Sequence, residues 1–328
     1  MGSQSTAVLV VGGAGYIGAH VCKALAATGR LPVVLDDLSS GDRDSIRWGP
    51  FQQASASDTE AVGSVIAEHG IRTAIDLAAF IEVGESVRDP LAFYANNLAA
   101  KIPLLAALHA NGVENLVLSS TAAVYGEPDM LPIPETHGLR PTNPYGNTKL
   151  AFERMVADFA VAGGPRFLAL RFFNAAGADT GGQIGEAHEP ESHLIARAAR
   201  AALGNLPPLE IFGRDWPTPD GTAVRDYVHV NDLADAHVRA VAQLEGGAAS
   251  GACNLGSGQG HSVAEIMAAF AAIGAPVPHR YAPRRAGDSA RLVADITRAR
   301  EWLGWTPHLS DIGTIVASAL AWHRTRHG

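Results

Sequence analysis

The chain has 328 residues, 47% of them hydrophobic, more than one ordinary layer of core can take up, so it calls for a large α/β domain with a smaller lobe. With 33 acidic residues against 25 basic ones, the net charge of −8 leaves no basic field of the kind that holds nucleic acid or an anionic membrane, and the partner implied is a small molecule. The two cysteines, Cys22 and Cys253, form no C-x-x-C pair and sit in apolar surroundings, which fits buried thiols in a reducing, cytoplasmic setting.

From the N-terminus, Met1-Gly2-Ser3-Gln4-Ser5-Thr6 fits the loose myristoylation pattern, but so short a pattern commonly arises by chance. No secretory pattern follows, and no run approaches the roughly 20 apolar residues that span a bilayer. Short β-branched runs then alternate with helical stretches. Ala7–Val11 precedes a helix over 17–28, residues 32–35 precede 58–69, residues 73–77 precede 92–111, residues 115–118 precede 145–162, and residues 167–170 close the series. Parallel strands need helical crossovers and are apolar on both faces, so the alternation predicts an α/β fold with a Rossmann-type doubly wound parallel sheet over residues 1–175. Beyond 175 the pattern loosens into Gly-, Pro- and His-rich stretches at 177–190 and 206–222. That region, 176–328, reads as a smaller C-terminal α/β substrate lobe, with compact elements near 223–258 rejoining the first domain.

After the first strand, Gly12-Gly13-Ala14-Gly15-Tyr16-Ile17-Gly18 opens directly into a helix. Glycines at such a turn let backbone N–H groups and a helix N-terminus approach a pyrophosphate. The acidic residue expected at the end of the second strand is present as Asp36. A carboxylate accepts hydrogen bonds from a ribose 2′-hydroxyl and repels a 2′-phosphate, and the next residue is Asp37 rather than Arg, so the cofactor read from these residues is NAD rather than NADP. Asp37 also fits a cap of the loop that follows.

Asn143-Pro144-Tyr145-Gly146-Asn147-Thr148-Lys149 reads as a helix start, with Asn143 as cap and Pro144 in the first turn. Tyr145 and Lys149, four apart, face the same way. A phenol of pKa about 10 needs lowering by roughly 3 units, about 4 kcal/mol, to serve as a base near neutrality. An ammonium about 5 Å away supplies roughly 3 kcal/mol at an effective dielectric of about 20, and a positively charged nicotinamide is the natural source of the rest. Thr121, in Ser119-Ser120-Thr121-Ala122-Ala123-Val124-Tyr125-Gly126 just after strand four, offers a hydroxyl to hold a substrate oxygen.

Together with Val83-Gly84-Glu85-Ser86-Val87, Tyr94-Ala95-Asn96-Asn97, Arg171-Phe172-Phe173-Asn174, Val224-Arg225-Asp226-Tyr227-Val228-His229-Val230 and Pro283-Arg284-Arg285-Ala286-Gly287-Asp288, these motifs resemble the UDP-glucose 4-epimerases of the extended short-chain dehydrogenase/reductase family, in that family's order from about residue 7 to 306. The resemblance implies that C4 of a UDP-sugar is oxidised transiently with tightly held NAD, Tyr145 taking the hydroxyl proton, and that hydride returns to the other face. It places Asn96 at the cofactor, Asn174 near sugar and phosphates, Arg225 and Arg285 at the diphosphate and Asp288 at the uridine ribose. A surface ion pair is the plainer role for either arginine, although a guanidinium fork suits a diphosphate. Four positions depart from the family pattern. Ile81 stands where a lysine often contacts the NAD ribose, which implies weaker cofactor retention, and Ser55 stands where an Asp often meets the adenine. His193 replaces an Asn that helps hold the diphosphate and is either structural or a phosphate donor. Leu292 lies where residue size is thought to gate N-acetylated sugars, which bears on UDP-GlcNAc and UDP-GalNAc.

A sugar-nucleotide 4,6-dehydratase would need a further acid and base after the Thr, where this chain has Ala122-Ala123, and alanines transfer no protons. A UDP-pentose or UDP-uronate 4-epimerase stays open, as does a non-catalytic NAD-binding protein, although the latter would be expected to lose Tyr145 or Lys149. Neither reading calls for a metal. Helices 92–111 and 145–162 carry Leu104, Leu105, Leu108, Phe152 and Met155 beyond one face, which predicts a helical homodimer interface.

Overall fold

The structure is a computed structural model that describes residues 6–285 and 288–327. Residues 1–5 of the myristoylation-like hexapeptide, and Ala286 and Gly287 of the 283–288 motif, lie outside the described residues.

The larger body is a parallel sheet of seven strands: β1 (Ala7–Val11), β2 (Leu31–Asp36), β3 (Phe51–Gln53), β4 (Thr73–Asp76), β5 (Asn115–Thr121), β6 (Arg166–Phe172) and β7 (Gly251–Leu255). Their order across the sheet is β7-β6-β5-β4-β1-β2-β3, so the winding reverses between β1 and β4. A crevice opens at that reversal, beyond the carboxyl ends of the strands. Helices α1 (Tyr16–Ala27), α2 (Thr59–His69), α3 (Pro144–Val161), α4 (Leu194–Ala202) and α5 (Val230–Glu245) are the ones that matter most for the site. The pleat of β1 explains its unbroken apolar run. Val8 and Val10 pack with Val21 and Leu25 of α1 and with Leu233 and Val241 of α5, while Leu9 and Val11 pack on the other face with Val62 and Ile66 of α2.

After residue 223 the chain re-enters this body twice, as α5 over one face of the sheet and as β7 at its edge. The lobe has its own core, in which Ile195 and Ala199 of α4 meet Phe270 and Ile315. Val224–His229 joins the two, with Val228 in the core of the larger body and Tyr227 in that of the lobe. It pairs with Gly260–Ser262, Asn174–Ala176 and Arg291–Leu292 and runs straight into α5.

Two sequence readings need correction here. Leu104, Leu105, Leu108 and Phe152 are buried, and Met155 packs on the same core, so these residues form no dimer face. Two helices side by side on a sheet bury more than one stripe each, which periodicity alone does not register. Exposed apolar residues lie elsewhere, with Leu91 at 78%, Ile102 at 58% and Val161 at 92%. The continuous helical run Pro90–Ala110, 21 residues, also meets the length and composition of a bilayer span, contrary to the reading of its sequence. Leu104 and Leu108 are nonetheless core residues, and Lys101 within the run is buried in an ion pair with Asp76. Cys22 and Cys253 are buried free thiols.

Candidate active site

A cavity of about 900 Å³ runs from the β1–α1 turn across the ends of β4 and β5 into the lobe, and every site residue singled out in the sequence lines it. The glycines of the first turn divide the labour. Gly12 has φ +79°, and a Cβ there would stand 2.6 Å from Ala78 N at the end of β4. At Gly18 a Cβ would stand 2.2 Å from Gly12 O, so this glycine lets α1 pack onto its own strand. Gly15 differs, since its Cβ would meet only Gly12 O, at 3.3 Å. A methyl there needs the turn to give by only a few tenths of an ångström, so packing within the protein constrains this position far less than Gly12 or Gly18, as on a surface kept bare for a ligand. Tyr16 and Ile17 begin α1, where backbone N–H groups have no partner within the helix. The Tyr16 hydroxyl is committed elsewhere, donating to Gly177 O at 2.6 Å and tying α1 to the lobe.

Asp36 ends β2 with its carboxylate buried, accepting from Ala14 N at 3.0 Å and Leu38 N at 2.8 Å. Burial pushes its pKa up, against the pull of those two N–H groups. Asp37 is exposed and accepts from Ser39 N at 2.9 Å, so it does cap its loop as well as line the cavity. Asn96 also lines the cavity, while its neighbour Asn97 is structural, pinning Phe80 N and O at 2.8 and 2.9 Å. Ile81 lines the same cavity without a charge. A different cation at the cavity was passed over by sequence reasoning. Lys101 brings a buried ammonium into the cavity from the Pro90–Ala110 run, donating to Asp76 Oδ1 at 2.8 Å and Ala78 O at 2.6 Å. A lone lysine in an apolar helix, with an aspartate ending the adjacent strand, was the available signal. Bare glycine backbone, free helix-start N–H groups and a buried carboxylate at the next strand end together fit a dinucleotide.

The chemical group sits where β5 ends. Asn143 caps α3 through Gly146 N at 2.9 Å, and a Cβ on Gly146 would stand 2.7 Å from Ala123 O, so glycine lets α3 press against the segment after β5. That contact puts Tyr145 beside Thr121, whose hydroxyl acts to lower the pKa of the phenol. Lys149, one turn on, donates to Ser119 O at 3.1 Å and Ser119 Oγ at 2.9 Å. The electrostatics depart from expectation. Burial pushes the Tyr145 phenol up to about 12, opposed by the Thr121 hydroxyl, and Lys149 is not among the groups that lower it. Burial, followed by the charge of Lys101, brings Lys149 itself down to about 8. A lysine that is itself desolvated has its ammonium spent on Ser119, so a simple point-charge sum overstates its pull on the phenol.

Behind β5 a second polar group is structural. Arg171 donates to Glu153 at 3.0 and 2.6 Å and to the Tyr125 hydroxyl at 3.0 Å, all buried. The 171–174 motif therefore divides, with Arg171 holding the sheet to α3 and Asn174 reaching the cavity beside Tyr227. At the lobe end stand Arg225, Arg285, Asp288 and Leu292. Arg285 pairs with Asp288 at 3.1 Å and lies over the Phe212 ring at 5.2 Å, so the two residues expected at diphosphate and ribose hold each other in this structure. His193 stands immediately before α4, and its Nδ1 is bonded to Glu186. Burial pulls the His193 pKa down, but Glu186 outweighs it and holds the ring at about 9.

A glycine turn at the winding reversal of a parallel sheet, with a hydroxyl, a tyrosine and a lysine at the next strand end, defines a dinucleotide-dependent enzyme of the short-chain dehydrogenase/reductase class. Residues 8–256 match the NAD dependent epimerase/dehydratase family, and the chain belongs to it. It is 49% identical to UDP-glucose 4-epimerase of Rhizobium meliloti over 325 residues, 99% of each chain. Among solved structures it is similar to the UDP-glucose 4-epimerase of Brucella ovis in complex with NAD, with 47% identity, 96% and 97% of the two chains covered and a TM-score of 0.94. The UDP-glucose 4-epimerase of Stenotrophomonas maltophila with bound NAD and formylated UDP-arabinopyranose is 40% identical, covering 97% and 98%, with a TM-score of 0.94.

Proposed function

We propose that the chain is an NAD-dependent isomerase that inverts C4 of a UDP-sugar, interconverting UDP-glucose and UDP-galactose. The observation that carries this reading is the adjacent Tyr145–Thr121 pair facing a cavity whose far end presents Arg225, Arg285 and Asp288. Tyr145 withdraws the C4 hydroxyl proton and later returns it, Thr121 holds the same oxygen, and Lys149 keeps a positive charge below pH of about 8 beside them. NAD, when bound, supplies the hydride acceptor and donor and, in its oxidised form, the positive charge that brings a phenol at about 12 toward its working range. Arg225 and Arg285 neutralise the diphosphate, which requires Arg285 to exchange Asp288 for phosphate oxygens. Ala122 and Ala123 line the cavity with methyl groups, which supports inversion over elimination of water. Leu292, half-buried at the wall, supports a sugar site wide enough for UDP-GlcNAc and UDP-GalNAc. The exposed apolar side chains of Leu91, Ile102 and Val161 support a homodimer, and the buried free thiols support a cytoplasmic location, which subcellular fractionation tests.

The test is to incubate the protein with UDP-galactose, UDP-GalNAc, UDP-xylose and UDP-glucuronate and identify the products by NMR. UDP-galactose is expected to yield UDP-glucose, and Tyr145→Phe to lower turnover by roughly 10²–10⁴-fold with NAD still bound. Failure to invert C4 in any of the four sinks the proposal, and near-normal turnover of the Phe variant removes Tyr145 from the base role.

A further inference from the structure

Four residues that the proposed reaction does not require converge on the segment ahead of α4. Glu186, His188, Glu191 and His193 each offer one ligand atom, and the four atoms lie within 4.8 Å of one another. Bonds of about 2.0–2.2 Å from a divalent metal to imidazole nitrogen and carboxylate oxygen set tetrahedral donors roughly 3.4 Å apart, so small side-chain movements close the group around an ion.

Hydrogen bonding within the segment leaves the group incomplete. His193 Nδ1 is bonded to Glu186 Oε1, but His188 only approaches its neighbours, with Nδ1 at 3.6 Å from Glu186 and Nε2 at 3.4 Å from Glu191. His188 Nε2 and Glu191 Oε2 are both buried without a hydrogen-bond partner. The Glu191 side chain is 1% exposed and that of Glu186 5%, so two carboxylates are withdrawn from water within one short stretch. An unpartnered buried carboxylate oxygen is costly, and such groups are paired, take up a proton or coordinate a metal. The wall behind them holds the segment in place, since Trp322 Nε1 of the C-terminal helix donates to Glu186 O at 2.8 Å.

We infer that Glu186, His188, Glu191 and His193 form a divalent transition-metal site beside the nucleotide-sugar cavity. Two imidazoles with two carboxylates suit zinc, manganese or cobalt, whereas calcium and magnesium prefer all-oxygen cages and copper(I) prefers thiolates. All four residues line the cavity, and the His193 side chain is 39% exposed to it, so the ion stands at the wall of the cavity rather than in a closed structural core. Loading displaces the proton held between Glu186 and His193, so uptake releases protons.

The NAD-loaded protein, stripped with a chelator and freed of unbound nucleotide, is titrated calorimetrically with Zn²⁺, Mn²⁺ and Co²⁺. Metal content after desalting is read by mass spectrometry, and the cobalt form by its visible spectrum. One equivalent of metal per chain is expected, with a cobalt ligand-field band and a metal-dependent rise in Tm. Glu191→Gln keeps the shape of the side chain and is expected to weaken binding by more than tenfold, as is His188→Ala. Lack of stoichiometric uptake overturns the site. So does uptake that is equal in the parent and in a His188→Ala/Glu191→Gln double variant that still retains NAD, which would place the metal elsewhere and leave the four residues a hydrogen-bonded network.

Discussion

Gly12, Gly15 and Gly18 are indistinguishable as letters, yet their surroundings assign them different work. A methyl at Gly18 would collide with Gly12 O at 2.2 Å, backbone against backbone, whereas one at Gly15 meets only Gly12 O at 3.3 Å. Gly18→Ala is therefore expected to lower Tm by several degrees or abolish soluble expression, through overpacking worth about 1–3 kcal/mol or more. Gly15→Ala asks for a shift of only a few tenths of an ångström, so it should keep the fold and lose cofactor. Thermal melts and the NAD released on denaturation separate the two, and a Gly15→Ala protein with full NAD content refutes the assignment of that surface to the pyrophosphate. At Asp36 the residue type points toward a ribose hydroxyl, but only the fold shows that both of its oxygens already receive backbone N–H groups.

Helix α3 does the positioning. Its cap, its first-turn proline and the close approach at Gly146 bring Tyr145 to Thr121, and the same turn leads Lys149 to Ser119. The run Pro90–Ala110 reaches the same place from the other side, and Lys101 on it is the largest influence on Lys149 after burial, with Asp76 acting more weakly in the opposite direction. With its pKa lowered to about 8, Lys149 loses its charge as pH rises through that value, so turnover should fall on the alkaline side. The double variant Asp76→Asn/Lys101→Met removes the larger effect along with the smaller one and leaves no unpaired buried charge. Its alkaline limb in kcat is expected at higher pH than in the parent, and an unmoved or lowered limb disproves the coupling. Stability carries the opposite sign. Between about 8 and the ordinary lysine value of 10.5 the unfolded chain binds the extra proton, so this residue's contribution to stability rises with pH in that window.

At the scale of the whole molecule, the exposed side chains of Leu91, Tyr94 and Ile102 recur at helical spacing on one side of the Pro90–Ala110 run, and Val161 ends α3, which packs against the first part of that run. Light scattering at micromolar concentration should give twice the chain mass, and Leu91→Glu/Ile102→Glu should halve it while NAD stays bound; a monomeric parent refutes the homodimer. The doubly wound sheet, the glycine turn, Asp36, and Tyr145 with Lys149 were all legible in the sequence. They depend on periods and spacings of a few residues, and local sterics enforce those wherever such a segment occurs. The order of strands around the reversal point, the burial of Leu104 and Phe152, the Asp76–Lys101 pair, the grip of Arg285 on Asp288 and the gathering of Glu186, His188, Glu191 and His193 were decided only in the tertiary structure. The last two join near neighbours in sequence, and the other three depend on which distant segments exclude water from one another. Burial of that kind sets the pKa values of Tyr145 and Lys149, and a four-residue spacing carries no record of it.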